Sequence, residues 1–280
     1  MKRQLILIAD MEGTSGIFEN NVEAIYHGSE LWRNIGRQYL TSDVLAVCEA
    51  AKEYEIDEIL LYDGHYAGDA EFNVILEQLP GNVKVFDTPN RCFYWRRIRG
   101  QAESNPFGLI TVGQHARNGE LDAYFPHTIQ TPPIKTLFVN EMHIAEIGQA
   151  TLSFCGTKYI ANIGCNASHK EAREISKNVT CITVKNKATG WEPLPQETYG
   201  IIKNGVIEAI KAIDQKDMIS ISEPCYFSME LTEDYYFDPT EMFPWKGNFT
   251  ETMATWESPN IEIGLELFNY VRGFIKKKSK

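Results

Sequence analysis

Four side chains stand where chemistry could be done. Asp10 and Glu12 lie in Asp10-Met11-Glu12-Gly13, His65 in Asp63-Gly64-His65, and His115 in Gly113-Gln114-His115-Ala116. Each segment directly follows a short apolar run and carries a glycine beside the candidate group. Carboxylate oxygen and imidazole nitrogen are donors that zinc accepts. A neighbouring glycine suits a tight turn, or backbone passing close to a bound group. Taken singly, each residue also has a plainer role. Asp10 and Asp63 could cap a helix or form a turn, and either histidine could be a hydrogen-bonded, half-buried side chain. The joint pattern is harder to dismiss, because the chain has 6 histidines and two of them follow strands in this way. Asp63 could also steady a ligand histidine by accepting its other ring N–H.

Two more residues follow. His127 lies in Tyr124-Phe125-Pro126-His127-Thr128, beyond the His115 run. Glu146 lies where a strand turns into a helix, in Ala145-Glu146-Ile147-Gly148. A glutamate near a helix start complements the helix dipole, and spacing alone favours that role for Glu146.

These groups need elements that bring them to one place. Residues 5–9, 59–62, 83–86, 109–112, 136–139, 159–163 and 181–184 are apolar runs of strand length. Helical patterns lie among them: one capped at Thr41 or Ser42, one near 70–78, one over 144–154 and one near 169–176. Strand alternating with helix predicts an α/β fold, a mostly parallel sheet with helices on both faces. In such sheets ligands bind beyond the carboxyl ends of the strands. Three strands therefore deliver Asp10, Glu12, His65 and His115 to one edge. Residues 195–213 read as a further helix. After it, 218–231 and 248–255 look like longer alternating strands around a Pro- and aromatic-rich segment at 235–245, and 260–275 form an amphipathic closing helix. The expected organisation is a catalytic α/β metal-binding domain over 1–214 and a smaller C-terminal α+β subdomain over 215–280 packed on it.

Composition narrows the classes. Apolar residues make up 43% of the 280 and the net charge is −11, which suits a globular core and offers no basic face for nucleic acid. The basic run at 276–280 reads as the solvated end of a helix. The start of the chain has too short an apolar run for a signal peptide or a membrane helix. The expectation is a cytoplasmic protein with no membrane partner, its 6 scattered cysteines free. A phosphate-binding glycine loop, a dinucleotide fingerprint and a serine nucleophile elbow are all missing. Cys165, after a strand, could be a nucleophile, but a buried structural thiol is the simpler reading.

In their order and gaps, these segments resemble the zinc-dependent D-aminopeptidase (DppA-type) family of peptidases. The resemblance runs over about 4–185, from Asp10-Met11-Glu12-Gly13 through His65, His115 and His127 to Glu146-Ile147-Gly148, and thins toward the C-terminus. It implies that Asp10, Glu12, His65, His115 and Glu146 bind a pair of zinc ions, two Zn2+ per subunit, and that His127 is catalytic. It thus replaces the dipole role of Glu146 with a ligand role. It also implies a homo-oligomer, a decamer of two stacked five-fold rings, for which the aromatic segments at 92–95 and 235–245 are candidate contacts. Two places depart from the family pattern. Pro126 stands where a small residue precedes the catalytic histidine, and Cys165 and Asn166 stand where acidic residues follow the glycine.

The implied function is that of a zinc-dependent aminopeptidase. It would hydrolyse short peptides or amino-acid amides, with a preference for D-amino acids, through a metal-bound hydroxide, with His127 stabilising the oxyanion or carrying a proton. The same ligands would serve a metal-dependent amidohydrolase acting on a non-peptide amide. A non-catalytic metal-binding protein of the same fold is the remaining reading.

Overall fold

The computed structural model describes residues 2–65, 71–86, 98–129, 131–238 and 246–279. In chain order they form β1 (Gln4–Ala9), α1 (Arg37–Lys52), β2 (Glu58–Asp63), β3 (Val83–Val85), β4 (Gly108–Gln114), β5 (Ile134–Val139), β6 (Met142–Ile144), α2 (Glu146–Leu152), β7 (Tyr159–Cys165) and α3 (His169–Ile175). There follow β8 (Thr180–Lys185), α4 (Pro195–Lys211), β9 (Cys225–Leu231), β10 (Tyr235–Phe237), β11 (Gly247–Phe249), β12 (Met253–Ser258), α5 (Ile261–Arg272) and β13 (Ile275–Lys277).

The main sheet has the order β3-β2-β1-β4-β7-β8, every pair parallel. Its central strands are buried at every residue, as the unbroken apolar runs require. Side chains alternate between faces. Leu5, Leu7 and Ala9 of β1 pack with Val44 and Val47 of α1 and Ile202 and Val206 of α4. Ile6 and Ile8 face the other way, toward Ile147 of α2 and Ala172 of α3. Each Leu, Ile or Val among them contributes about 1.5–3 kcal/mol when fully buried, so the sheet is a firm platform. The expected α/β fold, helices on both faces, is the one observed.

A second sheet, β11-β12-β9-β5-β6, is antiparallel. It buries Leu137, Phe227, Met229 and Trp256 in the same core as Ile6 and Ile8, and α5 packs on it. Gly264 of α5 lies so close that a Cβ there would come 2.1 Å from the Phe227 ring. This sheet takes β5 and β6 from before residue 214 and its other strands from after it.

Some sequence expectations need correction. Residues 136–139, read as another strand of the parallel sheet, belong to β5 in the antiparallel sheet. The pattern there alternates, with Lys135 exposed between Ile134 and Thr136, and a turn at Asn140 (φ +55°) folds β5 onto β6. The first helix begins at Arg37, not at Thr41. Thr41 sits inside it and donates its hydroxyl to the Arg37 carbonyl at 2.6 Å. The helix expected near 70–78 is, within the described residues, a 3-10 turn at Leu76–Gln78; residue 70 lies outside them. The strand expected at 218–231 starts only at Cys225. The basic tail is not a helix end: Ile275–Lys277 pairs antiparallel with Tyr235–Phe237. Residues 92–95 and 239–245, offered as contacts, lie outside the described residues.

Candidate metal centre

Strands β2, β1 and β4 are neighbours, and their carboxyl ends carry the candidate donors. Asp10 and Glu12 follow β1, His65 follows β2 and His115 follows β4. The first loop lies directly on the end of β4. Asp10 N–H donates to Val112 and Gly13 N–H to Gly113, at 2.9 and 2.8 Å. Gly13 and Gly113 make this approach possible: a Cβ would stand 1.9 Å from the Gln114 carbonyl oxygen and 1.8 Å from that of Asp10. Gly113 also has φ +70°, a conformation that side chains disfavour.

The other two residues arrive by different routes. His127 sits in the long loop after β4, its N–H on the Ala116 carbonyl at 3.1 Å. Glu146 opens α2, which is delivered by the β5–β6 hairpin of the second sheet. All six converge. His65 Nδ1 is 3.1 Å from Glu12 and 3.4 Å from Asp10. His115 Nε2 is 3.4 Å from Glu146 and 3.5 Å from Asp10. His127 Nε2 is 3.3 Å from Glu146 and 3.9 Å from Glu12. The rings of His115 and His127 stack, centroids 3.9 Å apart and 9° from parallel.

The second nitrogen of each imidazole fixes its orientation. His65 Nε2 contacts the Ile25 carbonyl at 2.8 Å, His115 Nδ1 that of Ala116 at 2.8 Å, and His127 Nδ1 that of Phe125 at 2.9 Å. A carbonyl only accepts, so each of these nitrogens carries the hydrogen. The other nitrogen of each ring faces the carboxylates, where it can carry a proton or, once that proton is released, turn a lone pair to an ion, the arrangement that orients metal-binding histidines. Asp63 reaches His65 by way of Asn73, whose Nδ2 donates to the His65 carbonyl at 2.7 Å. Its carboxylate accepts from Asn73 N–H, Asn73 Nδ2 and Val74 N–H, at 2.6, 2.7 and 3.2 Å.

The donors fit a divalent ion. Asp10, Glu12 and His115 form one group, and His115, His127 and Glu146 another, each with ligand atoms within 4.8 Å of one another. Asp10 Oδ2, His115 Nε2 and Glu146 Oε2 are buried and lack a hydrogen-bond partner among the described residues. Buried polar atoms are normally satisfied. Two ligands about 2.0–2.1 Å from one tetrahedral ion stand about 3.4 Å apart, the spacing these atoms already show. Electrostatics agree. Burial, with Glu12 adding to it, pushes Asp10 up to about 6. For Glu12 burial is outweighed by His65, leaving the carboxyl well below its ordinary range; for Glu146 it is outweighed by His115. Burial alone would lower His65 and His115, but Glu12 and Glu146 respectively hold them well above the usual histidine value. Without an ion, protons balance the carboxylates.

Three supporting residues went unseen in the sequence. Glu171 of α3 accepts the N–H groups of Ala145 and Gly148, both at 2.7 Å, and so holds the start of α2. Arg117 makes a two-pronged pair with Glu174, at 2.6 and 2.9 Å, and donates to the His143 carbonyl, tying the His115 loop to α3 and β6. Lys185, the last residue of β8, reaches under the loop that carries Glu12. Their partners are main-chain groups or residues distant in sequence, so spacing carried no signal. Cys165 is fully buried against Phe18, Ala116, Ala123 and Tyr124, the structural thiol of the simpler reading.

The family profile described as D-aminopeptidase matches residues 4–270. The chain belongs to the D-aminopeptidase family of peptidases. The resemblance drawn over about 4–185 thus extends through the C-terminal region, and the enzyme class follows from it: a hydrolase of the aminopeptidase type. Among solved structures, the chain is similar to "Zn-dependent D-aminopeptidase DppA from Bacillus subtilis, a self-compartmentalizing protease", with TM-score 0.77, 16% identity and 97% of each chain covered. At that identity the likeness speaks for the fold. No curated protein sequence matches. Among the described residues, no helix is long and apolar enough to cross a membrane.

Proposed function

We propose that this chain is a zinc-dependent aminopeptidase that removes an N-terminal residue from short peptides or amino-acid amides, with preference for the D configuration. One observation carries the metal: three imidazoles, each tied through one nitrogen to a main-chain carbonyl, aim the other at the carboxylates of Asp10, Glu12 and Glu146. The family description and the zinc dependence of the similar solved protein support the same reading.

Asp10, Glu12, His65, His115 and Glu146 would hold two zinc ions; the two oxygens of Asp10 face His65 and His115 separately. Bound zinc supplies Lewis acidity toward the scissile carbonyl and makes water a stronger acid. The protein's own residues do the rest. His127 lies on the looser rim, half-buried, with Nε2 directed at Glu146. It stabilises charge developing on the carbonyl oxygen or hands a proton to the leaving amine. A carboxylate oxygen left free by the ions would give the free amine of a substrate an anionic neighbour, which favours cleavage at the N-terminal residue. The protein is proposed to act in the cytoplasm as a homo-oligomer.

The test is hydrolysis of matched D- and L-amino-acid amides and dipeptides, beside non-peptide amides, by protein first stripped of metal and then given zinc. D-peptides and D-amides should be cleaved only with zinc present. Full activity of the stripped protein would sink the metal reading, and cleavage confined to non-peptide amides would make the chain an amidohydrolase.

A further inference from the structure

Lys185 is fully buried at the end of β8. Its Nζ donates to the carbonyls of Glu12, Thr14 and Ile17 at 2.6, 3.0 and 2.5 Å. An ammonium has three N–H donors, and here all three go to main-chain oxygens of one loop. Burying a cation is costly unless it is well paired. The acidic groups in its field, Asp43, Glu12 and Glu192, are not hydrogen-bonded to it among the described residues. Cys165 also lies in its field, and three rings surround it: Tyr124, Phe18 and Phe125 lie with centroids 5.1, 5.5 and 5.7 Å from Nζ, within cation–π range. Apolar residues of similar volume often replace a buried charge at no cost to stability, so the position asks for what the charge does.

What it touches belongs to both halves of the site. The three carbonyls are those of the loop carrying Glu12. The same loop is held also by Asp43, which accepts the Ser15 N–H at 2.9 Å. Tyr124 and Phe125 belong to the loop carrying His127, and the Phe125 carbonyl accepts from His127 Nδ1 at 2.9 Å. Phe125 has φ +51°, a conformation a bulky residue keeps only when its surroundings impose it. The ammonium thus touches the backbone behind Glu12 and the rings behind His127.

We propose that Lys185 is a positioning residue: its ammonium pins the Glu12 loop and the His127 loop to the end of β8 and sets Glu12 against His127, whose facing atoms lie 3.9 Å apart. The inference rests on the reading of Glu12 as a zinc ligand and of His127 as a catalytic residue.

Lys185→Met keeps the length and removes charge and donors; Lys185→Gln keeps two N–H donors without charge. Both are compared, as full-length chains, with wild type and with Phe268→Leu, a core change in α5. Three quantities are read: zinc affinity by competition with a chromogenic chelator, melting temperature of the zinc-free protein, and kcat and KM with zinc saturating. A misplacement of about 1 Å can cost about 10²-fold in rate. Lys185→Met is expected to weaken zinc binding roughly tenfold or more and to lower kcat by about that factor of 10², with KM moving far less. Lys185→Gln should fall between it and wild type. Phe268→Leu should lower the melting temperature and leave zinc affinity and kcat alone. The proposal is overturned if Lys185→Met keeps wild-type zinc affinity and kcat, or loses no more of either than Phe268→Leu does. It is overturned also if neither Lys185 variant folds, which would make the residue a requirement of folding. Failure of wild type itself to bind zinc would instead strike the metal reading, and the same titration shows it.

Discussion

The histidines differ in what their removal should cost. His115 is shared by both donor groups and stands directly after β4, on the rigid sheet. His127 sits on a loop that can reach over a substrate, stacked on His115. His115→Ala is expected to lose zinc and activity together. His127→Ala is expected to keep its zinc and lose turnover by about 10²–10⁴-fold, the scale of one acid–base group or oxyanion donor. Zinc content and kcat of the two variants, measured side by side, decide it. Loss of zinc in His127→Ala would move His127 into the ligand set, which its place in one donor group makes a real alternative. Near-normal turnover would remove it from the mechanism. At this scale the sequence was informative where a donor follows a strand directly, as for Asp10, His65 and His115. Glu146 was not legible from spacing, because an acidic residue at a helix start has an ordinary role with the dipole. Only the family resemblance pointed to it as a ligand.

The elements that place these residues are held by buried groups of their own. Glu171 joins α3 to the start of α2, and burial pushes its carboxyl up to about 7 from an ordinary 4.5. Between those values the folded chain keeps a proton that the unfolded chain has released. Stability from this group therefore falls as pH rises from about 4.5 through about 7. Glu171→Gln has no such proton to lose and retains an oxygen acceptor for the two N–H groups. In zinc-free protein the variant should gain on wild type between pH 5 and pH 8, by up to about 3 kcal/mol. Denaturant unfolding at both pH values measures the gap, and a gap independent of pH would refute the role. The strands of the parallel sheet were legible because they are buried on both faces and so apolar throughout. β5 was misread because Leu137-Phe138-Val139 looks the same over three residues, while β9, the partner that joins it to the antiparallel sheet, lies about 90 positions further on. Pairing across such a gap leaves no local trace. Lys185 and Arg117 were equally hidden, because their partners include main-chain carbonyls that no side-chain pattern encodes.

The whole molecule carries a net charge of −11, which bears on assembly. Copies of such a chain repel one another, and the repulsion reaches about 30 Å at 0.01 M ionic strength but only about 8 Å at 0.15 M. Net charge therefore works against a homo-oligomer, and apolar and hydrogen-bonded contacts are the ones expected to hold it. The described surface offers apolar side chains of that kind, among them Leu121, 85% exposed, and Met218 and Tyr226, 59% and 55% exposed. Large exposed apolar groups in one patch usually mark interfaces, whereas single ones are common on any surface, so exposure alone does not locate the contact. The solved protein of similar fold is described as self-compartmentalizing. A large homo-oligomer is the expectation here, and the charge gives it a signature. Light scattering at micromolar protein should report the assembly at about 0.15 M salt and a shift toward smaller species at about 0.01 M. Salt bridges between subunits would give the opposite trend, since screening weakens them. A monomer at both salt concentrations would remove the oligomer, and an assembly that dissociates as salt is added would keep it while assigning its contacts to ion pairs.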